Sequence, residues 1–221
     1  MKPDGTGLVI LVPMLGRPHR VGPLLDSIDQ STPAATVVFL LSHSDRTVRR
    51  TVEQAGRAFY EVGYRPVGDY ARKINYGVRV TSGPWLFTAA DDLRFHPGWF
   101  EAALAMAQSD VGVIGTNDLG NPRVLAGDHA THFLVARWYT ELGTMDRPGE
   151  LMCTDYPHEF VDDEFVETAK RRGMWAMALN AHVEHLHPNW GKARTDALYQ
   201  QQPARMRMGQ SIYRRRMRLW S

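Results

Sequence analysis

Two adjacent carboxylates, Asp91 and Asp92, end a short apolar segment at 85–90 that has the length of a β-strand. Beyond them, Pro97 precedes apolar residues at helical spacing, as a first-turn proline does. Ligands of open α/β sheets bind just beyond the carboxyl ends of the strands, so acids placed here could hold a divalent metal or a diphosphate. The alternative is a pair of turn aspartates that only solubilise a loop, and for an isolated Asp-Asp pair that alternative is favoured.

The composition bounds the class of protein. A chain of 221 residues with 43% hydrophobic and 23% charged residues predicts one globular domain with a substantial core. The single cysteine, Cys153, excludes an intramolecular disulfide framework. No N-terminal apolar segment has the length of a signal peptide or a membrane span, so we expect a cytoplasmic location.

Strands and helices alternate through the first half of the chain. This pattern predicts a Rossmann-like, nucleotide-binding α/β arrangement. There is no Gly-rich phosphate loop of the dinucleotide or Walker type, which disfavours dinucleotide oxidoreductases and kinases. The predicted elements are buried strands at 7–12, 36–41 and 85–90, and helices beginning near Val21 and spanning 47–60 and 68–81.

The second half continues the alternation with longer loops. The loop at 117–132 is rich in Gly, Asn, Asp and His, and the irregular segment at 139–157 is a candidate lid or acceptor wall. The other predicted elements are a helix ending near Gln108, strands at 111–115, 131–136 and 174–181, and a helix at 159–172.

Asp162 lies near the start of the predicted helix at 159–172. It shares a helix face with the apolar residues three, four and seven positions further on. An aspartate on an apolar face needs a partner or a chemical role, because burying an unpaired charge is costly. Its neighbours Asp163 and Glu164 are expected to point elsewhere and to stabilise the first helical turn.

His185 and His187 stand two positions apart, so they share a face if their segment is extended. At least one of them could complete a metal site with Asp92, although each taken singly could equally be a structural histidine. Carboxylate oxygens with an imidazole suit Mn²⁺ or Mg²⁺ better than a thiol-seeking metal.

The C-terminal segment at 203–221 is basic. Six arginines and no acid lie after residue 204, against 20 bases and 24 acids before it. Interleaved apolar residues favour a solvated terminal helix packed by its apolar side, and contact with an anionic membrane or an acidic partner is the weaker alternative. We therefore predict a domain at 1–202 followed by a basic tail, and no nucleic-acid partner.

A set of short motifs occurs in a particular order: VP with a following RP, SHSD, KINYG, TSG with AADD, VDDEF and VEHLHP. In this order the motifs resemble the family-two glycosyltransferases of the GT-A fold, over about residues 8 to 190. Within that family the chain looks most like small enzymes of actinobacterial phages, in keeping with its 22 arginines against 4 lysines. The resemblance implies a GT-A, Rossmann-like three-layer sandwich with a mostly parallel central sheet.

The resemblance also implies roles for individual residues. Asp92 would be the metal-binding acid of a DxD-type motif, assisted by His185 or His187, and Asp162 would be the catalytic base. Ser42 stands where the family often has a base-contacting acid, and Ala90 replaces the first aspartate of the motif. Donor binding is assigned to Pro13, Arg17, Ser44, Asp45, Lys73, Asn75 and Asp91.

The expected activity is an inverting, metal-dependent transfer of a sugar from a nucleoside-diphosphate sugar to an acceptor hydroxyl on a protein or glycan. A sugar-1-phosphate nucleotidyltransferase is the alternative enzyme, but it needs a Gly-rich basic loop after the first strand. The loop MLGRPHR has one glycine. A non-catalytic carbohydrate- or nucleotide-binding protein of the same fold is the remaining alternative.

Overall fold

The computed structural model describes residues 7–220; residues 1–6 of the predicted domain and residue 221 of the predicted tail lie outside the described residues. Strands and helices alternate along the chain, with short 3₁₀ turns at Pro18–Arg20, Arg137–Glu141, Pro188–Trp190 and Met217–Trp220. In chain order the elements are β1 Leu8–Pro13, α1 Val21–Ser31, β2 Thr36–Ser42, α2 Arg46–Gln54, β3 Ala58–Val62, α3 Asp69–Val80, β4 Trp85–Thr88, β5 Leu93–Phe95, α4 Trp99–Leu104, β6 Val113–Asn117, α5 Pro122–Leu125, β7 Phe133–Ala136, α6 Val161–Arg171, β8 Trp175–His185, α7 Ala197–Gln200 and α8 Gln202–Arg216.

The strands form one eight-stranded sheet in the order β3-β2-β1-β4-β7-β6-β8-β5. Strand β1 pairs in parallel with β2 and β4, so the carboxyl ends of these three strands open at the same edge. At the other side of the sheet, β5 pairs antiparallel with β8 and places Leu93 opposite His185. This register brings Asp92, which precedes Leu93, next to the histidine.

Two hydrophobic clusters cover the two faces of the sheet. Leu24 of α1, Val48 of α2 and Trp99 of α4 belong to one cluster. Ile74 of α3 and Phe165 of α6 belong to the other. The predicted three-layer α/β fold with a mostly parallel, GT-A-like sheet is therefore confirmed.

Close packing holds α3 against the centre of the sheet. Every residue of β1 is buried, as expected for a strand covered on both faces. Gly77 of α3 faces this strand, and a Cβ at that position would lie 2.9 Å from side-chain atoms of Leu11 and Leu40. A glycine here lets the helix that carries Lys73 approach the strand ends.

Two short strands were absent from the sequence prediction. The helix predicted at 47–60 is wrong in its second half: α2 ends at Gln54, and Gly56 turns the chain with a φ of +64°. The following β3 is an edge strand without a fully buried residue, so it shows no apolar run. Strand β5 has three residues, and its central Arg94 is exposed.

The C-terminal helix α8 packs through a buried arginine as well as through apolar residues. The Arg216 guanidinium donates to both carboxylate oxygens of Glu164, at 2.7 and 3.0 Å. Tyr156 donates its hydroxyl to the same carboxylate at 2.7 Å. The expectation that Glu164 points away from the core is wrong, because α8 covers that side of α6. Within residues 7–220, no helix combines the length and apolar character that crossing a bilayer requires.

Candidate functional site

The two strand-end carboxylates are buried around one guanidinium. Asp91 is 7% exposed and Asp92 4%. Nη1 of Arg17 lies 3.1 Å from Oδ1 of Asp91 and 3.6 Å from Oδ2 of Asp92. Turn residues that only solubilise a loop face water, so burial removes that alternative for this pair. Burial and the adjacent Asp92 raise the pKa of Asp91 to about 7.

The carboxylate of Asp92 has one oxygen available to a cation. Its Oδ1 is buried, accepts no hydrogen bond from any of residues 7–220, and lies 3.4 Å from Nε2 of His185. Burial alone would raise the pKa of Asp92, but His185, Tyr199 and Arg17 together lower it, so the group is ionised. A buried carboxylate oxygen beside an imidazole nitrogen fits a divalent cation.

The two histidines lie together, as the extended segment predicts. Their ring centroids are 5.0 Å apart. His187 accepts a hydrogen bond on Nδ1 from the backbone of Asn189 at 3.1 Å. Burial and the neighbouring His185 lower the pKa of His187 to about 4, which keeps it in the neutral form that metals bind. Burial lowers the pKa of His185, but the neighbouring Asp92 carboxylate raises it by more than burial lowers it. The pKa of His185 therefore lies above its ordinary value.

The sequence predicts that at least one of the two histidines joins Asp92, and His185 is the one that lies against it. Asp92 and His185 are in contact, but the three possible ligand atoms of Asp92, His185 and His187 do not all lie within 4.8 Å of one another. Across residues 7–220, the group that meets this distance is instead His129, Asp162 and Asp163. A metal held by Asp92 and both histidines therefore requires side-chain movement.

A short C-terminal segment, which the sequence analysis missed, closes over the strand ends. Arg17 donates through Nε and Nη2 to Asp196 at 2.8 and 3.1 Å, and its guanidinium lies 4.2 Å from the centre of the Tyr199 ring. The Tyr199 hydroxyl donates to Oδ2 of Asp92. Asp196 also caps α7, an N-cap pattern visible in sequence, but nothing in the sequence links it to Arg17.

The loops after β1 and β2 are joined by Asp45. Its Oδ2 accepts from the backbone of Gly16 at 2.6 Å, and its Oδ1 caps α2 by accepting from Val48 at 3.2 Å. Ser44 beside it is exposed, whereas Pro13 is buried as the last residue of β1. Ser44 and Asp45 therefore stand at the predicted base-binding edge, and Pro13 supports the strand.

Lys73 and Asn75, both assigned to donor binding by resemblance, have structural partners instead. The ammonium of Lys73 is fully buried and donates to the carbonyl of Met14, the hydroxyl of Ser42 and the carboxylate of Asp69, at 2.8, 2.9 and 2.7 Å. The side chain of Asn75 uses both polar atoms on the backbone of Met152, at 2.8 and 2.9 Å. In this conformation Lys73 uses all three of its N–H groups within the fold, and Asn75 uses its amide oxygen and one of its two amide N–H groups.

Asp162 lies in the first turn of α6 and pairs with a histidine. Its Oδ2 lies 3.2 Å from Nε2 of His129, which is 2% exposed. The neighbouring Asp163 instead pairs with Arg123 at 2.7 Å. The sequence placed His129 in a His-rich loop but gave no sign of this contact.

A cavity of about 430 Å³ opens beside Asp91. Arg20 and Arg194 line it, and their side chains form no hydrogen bond with any of residues 7–220. Arg20 acts electrostatically on the buried carboxylate, where it lowers the pKa of Asp91 against the effect of burial. Free guanidinium groups beside a strand end suit an anionic ligand.

The sheet order, the three layers and the acidic strand end together define an α/β protein of the GT-A fold. The chain belongs to glycosyl transferase family 2, whose family model matches residues 9–168. Among curated proteins, none matches this sequence.

Solved structures share the fold at low identity. A mannosyltransferase from Pyrobaculum calidifontis, in complex with GDP-Man and Mn²⁺, is 19% identical with a TM-score of 0.60, and the match covers 84% of this chain. The chain spans 59% of the length of that mannosyltransferase. Glucosyl-3-phosphoglycerate synthase from Mycobacterium tuberculosis, in complex with Mn²⁺, UDP-Glc and phosphoglyceric acid, is 15% identical with a TM-score of 0.61, covering 91% of this chain and 76% of the synthase.

Proposed function

We propose that this protein is an inverting, metal-dependent glycosyltransferase that moves a sugar from a nucleoside-diphosphate sugar to an acceptor hydroxyl. The observation that carries the proposal is the buried Oδ1 of Asp92, which has no hydrogen-bond partner in the described part of the chain and has His185 beside it. Family membership supports it, as do the nucleotide-sugars and Mn²⁺ bound by proteins of the same fold.

In this proposal Asp92 and His185 would hold Mn²⁺ or Mg²⁺, and His187 would be a further ligand if its side chain moved toward them. When bound, the metal would neutralise the charge that develops on the departing diphosphate. Arg17 lies against both strand-end aspartates and would turn from them toward a phosphate oxygen, since guanidinium groups pair with phosphate as well as with carboxylate.

The cavity beside Asp91 suits the diphosphate of the donor. Arg20 and Arg194 offer guanidinium groups there that form no hydrogen bond with any of residues 7–220. The nucleoside would extend toward Ser44 and Asp45 at the end of β2. In this arrangement the base would lie near Ser44 and Asp45, and the acceptor would lie beside Asp162.

Asp162 would be the general base. Burial raises the pKa of Asp162, but the contact with His129, mainly its hydrogen bond, outweighs burial, and the pKa lies below its ordinary value. The carboxylate is therefore ionised at neutral pH. An acceptor hydroxyl, on a protein or a glycan, would give its proton to this carboxylate as its oxygen attacks the anomeric carbon. One displacement of this kind inverts the anomeric configuration.

The test is transfer with a panel of UDP- and GDP-sugars and protein or glycan acceptors, with and without Mn²⁺. We expect metal-dependent product of inverted configuration by NMR. Asp162→Asn should bind donor normally but transfer ~10²–10⁴-fold more slowly, since it keeps the shape and removes the basicity. The neighbouring Asp163→Asn is the matched control. Retention of configuration, or equal loss in both variants, would refute the assigned mechanism.

A further inference from the structure

We infer that His129 is a positioning residue, which fixes the Asp162 carboxylate by donating from Nε2 to Oδ2 and leaves Oδ1 for the acceptor hydroxyl. The inference rests on the proposed function, because it needs Asp162 to be the base. Nε2 of His129 and Oδ2 of Asp162 are 3.2 Å apart, and the Asp162 side chain is 25% exposed. The carboxylate is therefore held at Oδ2, while a quarter of the side-chain surface stays exposed.

The surroundings of His129 select its tautomer. Its Nδ1 is buried and has no hydrogen-bond partner among residues 7–220. A proton on Nδ1 would be a buried, unsatisfied N–H group, which is costly. The neutral ring with its proton on Nε2 avoids this cost, so Nε2 donates and the carboxylate accepts.

Two further contacts tie the loop of His129 to α6. Arg123 binds Asp163 at 2.7 Å, and Lys170 donates to the backbone carbonyl of Asp128 at 2.6 Å. On the helix, both contacts lie C-terminal to Asp162, one and eight residues further along the chain. They hold the loop that carries His129 against α6, which restricts where the imidazole can lie relative to the Asp162 carboxylate.

Burial raises the pKa of Asp162, and the hydrogen bond from His129 is the main contact that favours its ionised form. Asp163 has its pKa raised by burial and by Asp162, so the two acids repel each other. Removing the hydrogen bond from His129 should therefore raise the pKa of the base. The other titratable groups that interact with Asp162 are Tyr70, His158 and His185, and Arg123 acts on the adjacent acid.

The same three residues, His129, Asp162 and Asp163, form the group with metal-compatible distances. Arg123 already supplies a positive charge to that group through its bond with Asp163. We therefore favour positioning over a metal site, and the experiment separates the two.

The experiment compares His129→Gln with His129→Asn in the full chain. The Gln amide nitrogen can occupy the place of Nε2 and donate, whereas the Asn amide stops short of it. We expect Gln to keep the wild-type kcat within about threefold and Asn to lose about 10–100-fold, the effect of one charged hydrogen bond. In the Asn variant the acidic limb of the kcat–pH profile should move to higher pH, with KM for the donor unchanged.

Equal rates and pH profiles for both variants and the wild type, with Asp162→Asn inactive, would overturn the role of His129 and leave the proposed function standing. An active Asp162→Asn enzyme would instead refute the proposed base. Thermal melting checks folding, and a destabilised Asn variant is replaced by His129→Leu, which has the same expected outcome. Loss of a bound Mn²⁺ equivalent in the Asn variant, measured by calorimetry, would show a metal site and also overturn the inference.

Discussion

The hydroxyl of Tyr199 donates a hydrogen bond to Asp92, although the two residues are 107 positions apart in the chain. Arg17 lies over the Tyr199 ring and beside the same carboxylate. Together they occupy the Oδ2 side of Asp92, while its Oδ1 has no hydrogen-bond partner within residues 7–220. The C-terminal segment therefore competes with any cation that needs both oxygens.

Tyr199→Phe should bind Mn²⁺ more tightly than the wild type. The substitution keeps the ring beneath Arg17 but removes the hydroxyl from Asp92, so the metal displaces one hydrogen bond fewer. We expect an increase in affinity of about tenfold, measured by calorimetry without nucleotide. Tyr64→Phe is the control, since Tyr64 is 48% exposed. Weaker binding would mean that the hydroxyl belongs to the metal site.

Asp91 should make the stability of the metal-free protein depend on pH. Its pKa in the folded state is about 7, above the ordinary 3.8, so between these values the folded protein binds a proton that the unfolded chain does not. Its contribution is therefore most favourable at low pH and is lost as the pH rises through about 7. We expect the advantage in melting temperature of the wild type over Asp91→Asn to shrink between pH 5 and pH 8, or to reverse in favour of the variant. A gap that widens with pH would contradict this.

Arg20 and Arg194 should contribute to donor affinity. Alanine at either position removes a guanidinium from the cavity beside Asp91 without breaking a protein hydrogen bond among residues 7–220. We expect nucleoside diphosphate to bind about tenfold more weakly in each variant, with unchanged melting temperatures. Arg50→Ala, at an exposed position of α2, is the control. Unchanged affinity in both variants would place the diphosphate elsewhere.

Arg216 should be essential for stability rather than for chemistry. Arg216→Met leaves the Glu164 carboxylate buried without its ion pair, which costs about 3–5 kcal/mol of unfolding free energy. Arg171→Met, which breaks the exposed pair with Glu167, should cost at most about 1 kcal/mol. Urea unfolding measures both. Equal effects would show that burial of the pair is unimportant.

The ion pair of Arg216 with Glu164 corrects the prediction that the tail at 203–221 is a solvated helix packed only by its apolar side. A truncation after residue 202 removes Arg216, so the shortened chain should lose stability and not merely a solvated extension. The basic composition of the segment gave no sign of this, because an arginine that pairs with a buried acid and one that faces water look the same in sequence.

The sequence was most informative where a pattern depends on local periodicity. The apolar runs of β1 and β2 and the helix face of α1 were predicted close to their observed bounds. Edge strands β3 and β5 were missed, because their side chains are partly exposed and carry no apolar run.

The sequence predicted those parts of the candidate site that depend on where a strand ends or on the alternation of side chains along an extended segment. Asp92 and His185 were expected to meet, and the β5–β8 register brings them together. Contacts made across the fold were not visible: Asp196 with Arg17, and His129 with Asp162. Each of these pairs depends on loop conformations that no periodic pattern encodes.

The central claim is that Asp92 recruits a divalent metal for a nucleoside diphosphate. Calorimetric titration of UDP and GDP, with and without Mn²⁺, into the wild type and Asp92→Asn tests it most directly. Metal should tighten binding of at least one diphosphate in the wild type, and most of that enhancement should disappear in the variant. Equal affinity with and without Mn²⁺ in the wild type, or full enhancement in Asp92→Asn, would contradict the claim.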